Sequence, residues 1–212
     1  MKIEFVSDVT CPWCAIGLAS LEQAIARLGA GNDVELRFEP FELNPDMSPE
    51  GEDLAHYAAR KYGATADELA ARQALIRQRA TEAGLQFGPR TRVWNTFDAH
   101  RLLHWAALEG RQSELKHALL AAYHGRGENP GAHEVLLRAA TEAGLDATRA
   151  RAVLERGEYA DDVRARVEHW RRLGINSVPS IVVDGRYLIQ GGQPVGVFEQ
   201  ALREIATEPA AA

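Results

Sequence analysis

Apolar positions along this chain follow two rhythms that exchange at definite points. In residues 2–6, Ile3 and Phe5 alternate with polar neighbours, and in 34–43 Val34, Leu36 and Phe38 do the same until Pro40 interrupts them. A period of two predicts a strand in each. Between them Leu18, Leu21, Ile25 and Leu28 recur at helical spacing, with Gly29 and Gly31 as stop signals. Strand, helix, strand in that order predicts a βαβ unit with parallel strands, because the crossover helix returns the chain to the same end of the sheet.

Residues 44–51 turn to Asn, Pro, Asp, Ser and Gly, a linker leaving the sheet. The 3.6-residue rhythm then takes over. Leu69, Ile76, Ala80 and Ala83 mark one helical face, and segments 97–108, 115–123, 135–143, 147–154 and 163–173 continue it, separated by polar, Gly and Pro residues at 86–92 and 125–131. Thr-Glu-Ala-Gly-Leu occurs at both Thr81 and Thr141. It reads as one helix-ending device used twice, with Gly84 and Gly144 left-handed, rather than as a repeat. After Leu173 the strand signature returns, and 181–184 and 186–190 flank Asp184-Gly185, the strongest hairpin signal in the chain. A last helix carries Val197, Phe198, Ala201, Leu202 and Ile205 on one face, with Pro194 near its first turn, and 208–212 reads as a frayed tail. The expected architecture is α/β. Residues 1–45 and 174–212 form one domain, and 46–173 form an inserted α-helical domain.

Composition narrows the function classes. With 212 residues, 46% hydrophobic and 25% charged, the chain can bury one core, or one core plus an inserted subdomain. No run approaches the ~18–20 apolar residues that span a bilayer, so no membrane association is expected. The opening residues read as a strand rather than a secretion signal, which sets the expectation of a cytoplasmic protein. The net charge of -6 is spread along the chain without a basic block, so nucleic acid is not an expected partner. Oligomeric state is left open.

Only two cysteines occur, Cys11 and Cys14. A disulfide scaffold would close longer loops, so an adjacent pair points to redox or metal chemistry. Metal is not expected. A zinc site needs four N or S ligands and there is no third cysteine, while His100 and His104 lack the Glu that a zincin motif places after its first His.

Cys11-Pro12-Trp13-Cys14 follows the first strand and opens the first helix. Pro12 suits the first helical position, which puts Cys11 at the N-cap, where unpaired N–H groups and the dipole favour thiolate. Lowering a thiol from about 8.5 to about 6 takes roughly 3.4 kcal/mol, whereas a helix terminus supplies at most ~2. Another donor must reach the sulfur if the shift is that large. Cys14, one turn inward, is the expected resolving thiol and Cys11 the attacking one. Asp8 either opposes the thiolate or caps the loop, and Glu4 or Glu39 either accepts the Cys14 proton or is a solvated strand-face residue.

Ser177-Val178-Pro179-Ser180 stands just before a predicted strand, where a proline fits an edge, a bend or a cis turn. With the N-terminal CPWC, it resembles the cis-proline loop that faces the cysteines of thioredoxin-fold proteins. The whole order of elements resembles the DsbA family, within it the FrnE-like cytoplasmic branch. Further matches are Phe41-Glu42-Leu43-Asn44-Pro45, Asn95-Thr96-Phe97-Asp98-Ala99-His100-Arg101 and Asp184-Gly185-Arg186-Tyr187. The resemblance implies a thioredoxin-like fold with a helical insertion, Cys11 and Cys14 as the redox pair and Pro179 as the cis residue. It implies thiol-disulfide exchange with no bound cofactor, and a cytosolic setting together with Trp13 in place of a strong oxidant's His points to isomerase or reductase behaviour. Electrons would exchange with glutathione or another thiol, and the partner would be a thiol- or disulfide-containing protein or a small thiol.

Substrate contacts are expected from Pro12, Trp13 and Val178. The resemblance implies that Asn95, Thr96 and His100 face the site from the insertion, with Asn95 and His100 touching substrate; the other reading is that Asn95 and Thr96 merely cap the helix that follows. Trp94, Trp105 and Trp170 are expected in the core of the insertion. Two departures from the family pattern stand out. Trp13 replaces the His usual in strong oxidants, and Ser180 follows the proline where an aromatic is frequent. The alternative is a glutathione-dependent isomerase or transferase, related to 2-hydroxychromene-2-carboxylate isomerases and kappa-class glutathione transferases. Those typically carry Ser where Cys11 stands.

Overall fold

The computed structural model describes residues 1–29 and 33–208; Gly31 and most of the expected tail, 209–212, lie outside them. Strand β1 (Lys2–Ser7), helix α1 (Pro12–Leu28) and strand β2 (Glu35–Pro40) form the expected parallel crossover unit, with Phe5 opposite Phe38. The insertion follows as β3 (Glu52–Asp53), α2 (Leu54–Tyr62), α3 (Ala66–Glu82), β4 (Arg92–Val93), α4 (Phe97–Leu108) and α5 (Gln112–Leu120). It continues through a π-helical turn (Ala121–Gly125) into α6 (His133–Glu142), α7 (Ala147–Glu155) and α8 (Ala160–Arg172). Strands β5 (Ser180–Val183) and β6 (Tyr187–Gln190) and helix α9 (Val195–Thr207) complete the chain. The main sheet runs β2-β1-β5-β6, with β5 antiparallel to both of its neighbours.

Alternation in the strands decides what packs where. Ile3, Phe5, Ile181 and Val183 are buried in one cluster with Leu18 and Leu21 of α1 and Phe198 and Leu202 of α9. Val6 clusters instead with Trp170 of α8, Phe41 and Ile175. The insertion has its own core of Leu102, Trp105, Leu115, Leu119, Leu136 and Val153. The two cores exchange side chains: Val9, from the loop before Cys11, packs in the insertion, and Leu120 of α5 packs in the sheet core. The loop that presents the cysteines is therefore clamped by the insertion. Gln112 strengthens the clamp by accepting from the Phe38 N–H at 3.0 Å and donating to the Phe38 carbonyl at 2.8 Å, which covers the open edge of β2 as a neighbouring strand would.

Several local devices follow the residues that predicted them. The Asp184-Gly185 turn has positive φ at both positions, 50° and 66°. Both Thr-Glu-Ala-Gly-Leu segments end a helix in the same way, with Leu85 bonding back to Ala80 and Leu145 to Ala140 around a left-handed glycine. Helix α2 and the β3–β4 pair emerge only in the structure. Asp53 caps α2 by accepting from Ala55 and His56 N–H, and a two-residue pairing is too short for alternation to show. Strand β2 stops at Pro40 rather than at residue 43, and α5 begins at Gln112, ahead of the expected 115.

Gly17 and Gly192 let α1 approach the segment after β6. A Cβ on Gly192 would lie 2.7 Å from the Trp13 carbonyl oxygen, and one on Gly17 would lie 3.0 Å from Gly192 Cα and 3.2 Å from Pro179 Cγ. Gly192→Ala is expected to lower unfolding stability by about 1–3 kcal/mol through overpacking against rigid backbone. Urea denaturation reads this, and an unchanged midpoint would show that the segment yields freely.

Candidate active site

Cys11 caps α1 in an extended conformation, φ -80° and ψ 115°, and Pro12 enters at the first helical position. The Cys11 carbonyl accepts from the Cys14 N–H at 3.1 Å and the Ala15 N–H at 3.3 Å. Cys11 is 4% exposed and its Sγ lies 3.7 Å from the Val178 carbonyl oxygen, while Cys14 is fully buried. The Val178-Pro179 bond is cis, and the Pro179 carbonyl accepts from Gly191 N–H at 2.8 Å. Pro12, Trp13 and Val178 are half-buried beside the sulfur. The fold thus brings Cys11, Pro12, Trp13, Cys14, Val178 and Pro179 together from the start of α1 and the approach to β5.

Both thiols are free, and their surroundings push them apart. The Cys11 pKa is lowered, first by the Cys14 thiol donating to it, then by the N–H groups of Cys14 and Trp13, against burial and the Asp8 carboxylate. Cys14 is pushed well up by burial, by that same donation and by the Cys11 charge, with Lys116 opposing. The leading donor to the Cys11 sulfur is therefore Cys14 itself. Two thiols so arranged can hold one thiolate near the surface and one proton beneath it.

Asp8 combines the two readings open to it. Its carboxylate accepts from Thr10 N–H and Oγ1 and from Leu43 N–H at 2.7 Å, tying the cysteine loop to the chain after β2, and its charge opposes the Cys11 thiolate. Neither carboxylate considered for Cys14 is engaged there: Glu4 pairs with Lys2, and Glu39 binds Arg166 and Trp170. The buried charge on that side is Lys116, whose Nζ donates to Ser7 Oγ at 2.9 Å. Sequence reading missed it. Lys116 precedes Leu119 and Leu120 by three and four residues and so shares their buried face, which is the signal that could have found it. His124, also missed, hangs from the π-helical turn, stacks on Phe87 and bonds the Val9 carbonyl through Nε2 at 2.9 Å. Burial holds its pKa down to about 3, so the ring is neutral.

Asn95 and His100 belong to the insertion, with His100 in electrostatic reach of Asp8 and Lys116. Asn95 donates to the Pro45 and Met47 carbonyls and accepts from Phe97 N–H, so its polar atoms pin the linker and cap α4. His100 is 3% exposed with an unpartnered Nε2, its pKa pushed down to about 4 by burial. Trp105 packs within the insertion, whereas Trp170 joins α8 to the sheet.

Because thiolate is the nucleophile, alkylation of Cys11 falls as pH drops through its pKa, and a lowered pKa places that midpoint below the ~8.5 of a free thiol. Cys14→Ala removes the leading donor and is expected to move the midpoint upward. Iodoacetamide rates against pH check both statements, and a midpoint indifferent to Cys14 would contradict the assignment of the donor.

Comparison with known proteins places this geometry. The chain matches a crystal structure of a "probable DsbA oxidoreductase SCO1869" from Streptomyces coelicolor with TM-score 0.94 and 34% identity, covering 100% of this chain and 92% of that one. It shares a fold with the cytosolic disulfide reductase DsbM from Pseudomonas aeruginosa with GSH, at TM-score 0.68 and 19% identity over 98% and 100% of the two chains. A 2-hydroxychromene-2-carboxylate isomerase structure has TM-score 0.72 and 14% identity over 97% of this chain and 96% of that one. The family model of the DSBA-like thioredoxin domain matches residues 2–203, and the chain belongs to that family.

Proposed function

We propose that this chain is a thiol-disulfide oxidoreductase of the isomerase or reductase type, acting through Cys11 and Cys14. The observation that carries the reading is the division of labour within one buried pair, a favoured thiolate at the helix N-cap and a held proton one turn inward. The Cys11 thiolate attacks one sulfur of a substrate disulfide, and the other sulfur leaves as a thiolate. Cys14 then loses its proton and attacks Cys11, which forms the intramolecular disulfide and frees the second substrate thiol. Two electrons from glutathione or another thiol restore the pair. If the substrate's own released thiol attacks first, the disulfide is rearranged rather than reduced. Pro12, Trp13, Val178 and Pro179 form the contact surface for the substrate segment around Cys11.

The FrnE-like branch and a cytoplasmic setting belong to this reading, supported by the motifs after β2, before α4 and at the hairpin. The related fold of a cytosolic reductase described with glutathione also supports them. Trp13 in place of the strong oxidant's His favours a potential between those oxidants, about -120 mV, and thioredoxin, about -270 mV. The glutathione-dependent isomerase or transferase alternative draws on fold likeness alone. Reactivation of a scrambled disulfide protein in a glutathione buffer tests the proposal. Recovery of native activity is expected; inertness there, with turnover of an aromatic isomerase substrate, would favour the alternative.

A further inference from the structure

A lysine ammonium enclosed in an apolar core is costly unless an opposite charge answers it. Lys116 is 1% exposed, its Nζ donates to the fully buried Ser7 and lies 5.7 Å from the Phe38 ring centroid. Among the described residues no carboxylate forms an ion pair with it. Leu120, one turn further along α5, packs in the same cluster as Phe38 and Cys14, and the Lys116 charge acts on Cys14.

The groups facing it narrow the choice of counter-charge. From α4 and the π-helical turn come His100 and His124, both held neutral by burial. On β2, Glu35 pairs with Arg37 and Glu39 with Arg166. On its own helix, exposed His117 pairs with Glu22. Asp8, in the β1–α1 loop, already has its oxygens on Thr10 and Leu43. Cys11 has the Cys14 thiol and helix N–H groups to stabilise it. Cys14 is fully buried, and against that burial it has the Asp8 N–H and the charge of Lys116.

We propose that Lys116 is a positioning residue for the second half of the exchange, its ammonium stabilising the Cys14 thiolate that must form before Cys14 attacks Cys11. This rests on the reading of Cys14 as the resolving thiol. In that step the Cys14 proton leaves to solvent and the Cys11–Cys14 bond forms. The bond from Cys11 to the substrate sulfur breaks, and the substrate departs as a thiolate that takes up a proton, carrying the two electrons. The electrostatics are reciprocal: Lys116 is the charge that opposes the upward push on Cys14, and Cys14 is the leading charge that supports the ammonium against burial.

The test separates this role from a packing role. In a Cys11→Ser background, Lys116→Met is expected to lower the alkylation rate of Cys14 at fixed pH by about tenfold, the effect of one unit in its pKa. Lys116→Arg, which keeps the charge, should restore much of the rate. In the protein with both cysteines, Lys116→Met should slow release of a pre-formed mixed disulfide by a similar factor and leave the first attack by Cys11 nearly unchanged. Equal Cys14 rates with Lys, Arg and Met, in variants with the parent circular dichroism, would overturn the proposal. If Lys116→Met does not fold, Ser7→Ala removes the anchor but keeps the lysine, and a Cys14 rate unaltered by it counts against the proposal in the same way. The alkylation readout does not require turnover. A lysine effect on Cys14 in a protein inert toward every disulfide would sink the oxidoreductase reading, and with it the exchange role, while leaving the coupling of Lys116 to Cys14 in place.

Discussion

Replacing Cys11 by Ser is expected to reduce disulfide exchange to the uncatalysed rate. A serine hydroxyl forms no sulfur–sulfur bond and is not ionised near neutral pH, so it supplies neither the nucleophile nor the mixed disulfide. Cys14 cannot substitute, because it is fully buried and its pKa is pushed well above that of a free thiol. The variant should keep its fold, since the Cys11 carbonyl, not its side chain, accepts the first helical hydrogen bonds. Insulin reduction and scrambled-substrate reactivation, alongside circular dichroism, measure this. Wild-type activity in a folded Cys11→Ser protein would place the chemistry elsewhere in the chain.

Cys14→Ser is expected to stop the cycle halfway. Cys11 remains at the helix N-cap beside the Val178 carbonyl and can still attack, but the bond it makes has no internal thiol to resolve it. Mixed disulfides should accumulate to about one per chain, be released by dithiothreitol, and carry the partner's mass in non-reducing gels or intact-protein spectra. Multiple turnover should fall to the rate at which external thiol clears the adduct. Accumulation in Cys11→Ser and not in Cys14→Ser would reverse the assigned roles.

The outer plan of the molecule was legible because it rests on local chemistry. Period-two alternation around Ile3 and Phe5, the helical spacing of Leu18 to Leu28, and the Asp184-Gly185 turn each report a backbone preference that the tertiary structure leaves in place. The cysteine motif was legible for the same reason, since Pro12 at the first helical position and Cys11 at the cap need no distant partner. Distant contributions were not legible. Lys116 and His124 enter the site from the insertion, 105 and 113 residues after Cys11 by subtraction of their numbers, and only the packing of α5 and its π-helical turn across the edge of β2 brings them there. Asn95 shows the converse: its motif matched the family, but its hydrogen bonds go to the 45–47 linker and the α4 cap. The β3–β4 pairing escaped because two residues a strand carry no periodicity.

The account depends on Cys11 and Cys14 cycling as a pair, and a redox titration of the intact protein tests that most directly. Equilibration in glutathione buffers of graded composition, followed by trapping of free thiols and mass measurement, should show one two-electron transition in which both thiols disappear together. Its midpoint is expected between about -120 and about -270 mV. Two thiols that stay free across that range, or that oxidise only as separate glutathione adducts, would contradict the account.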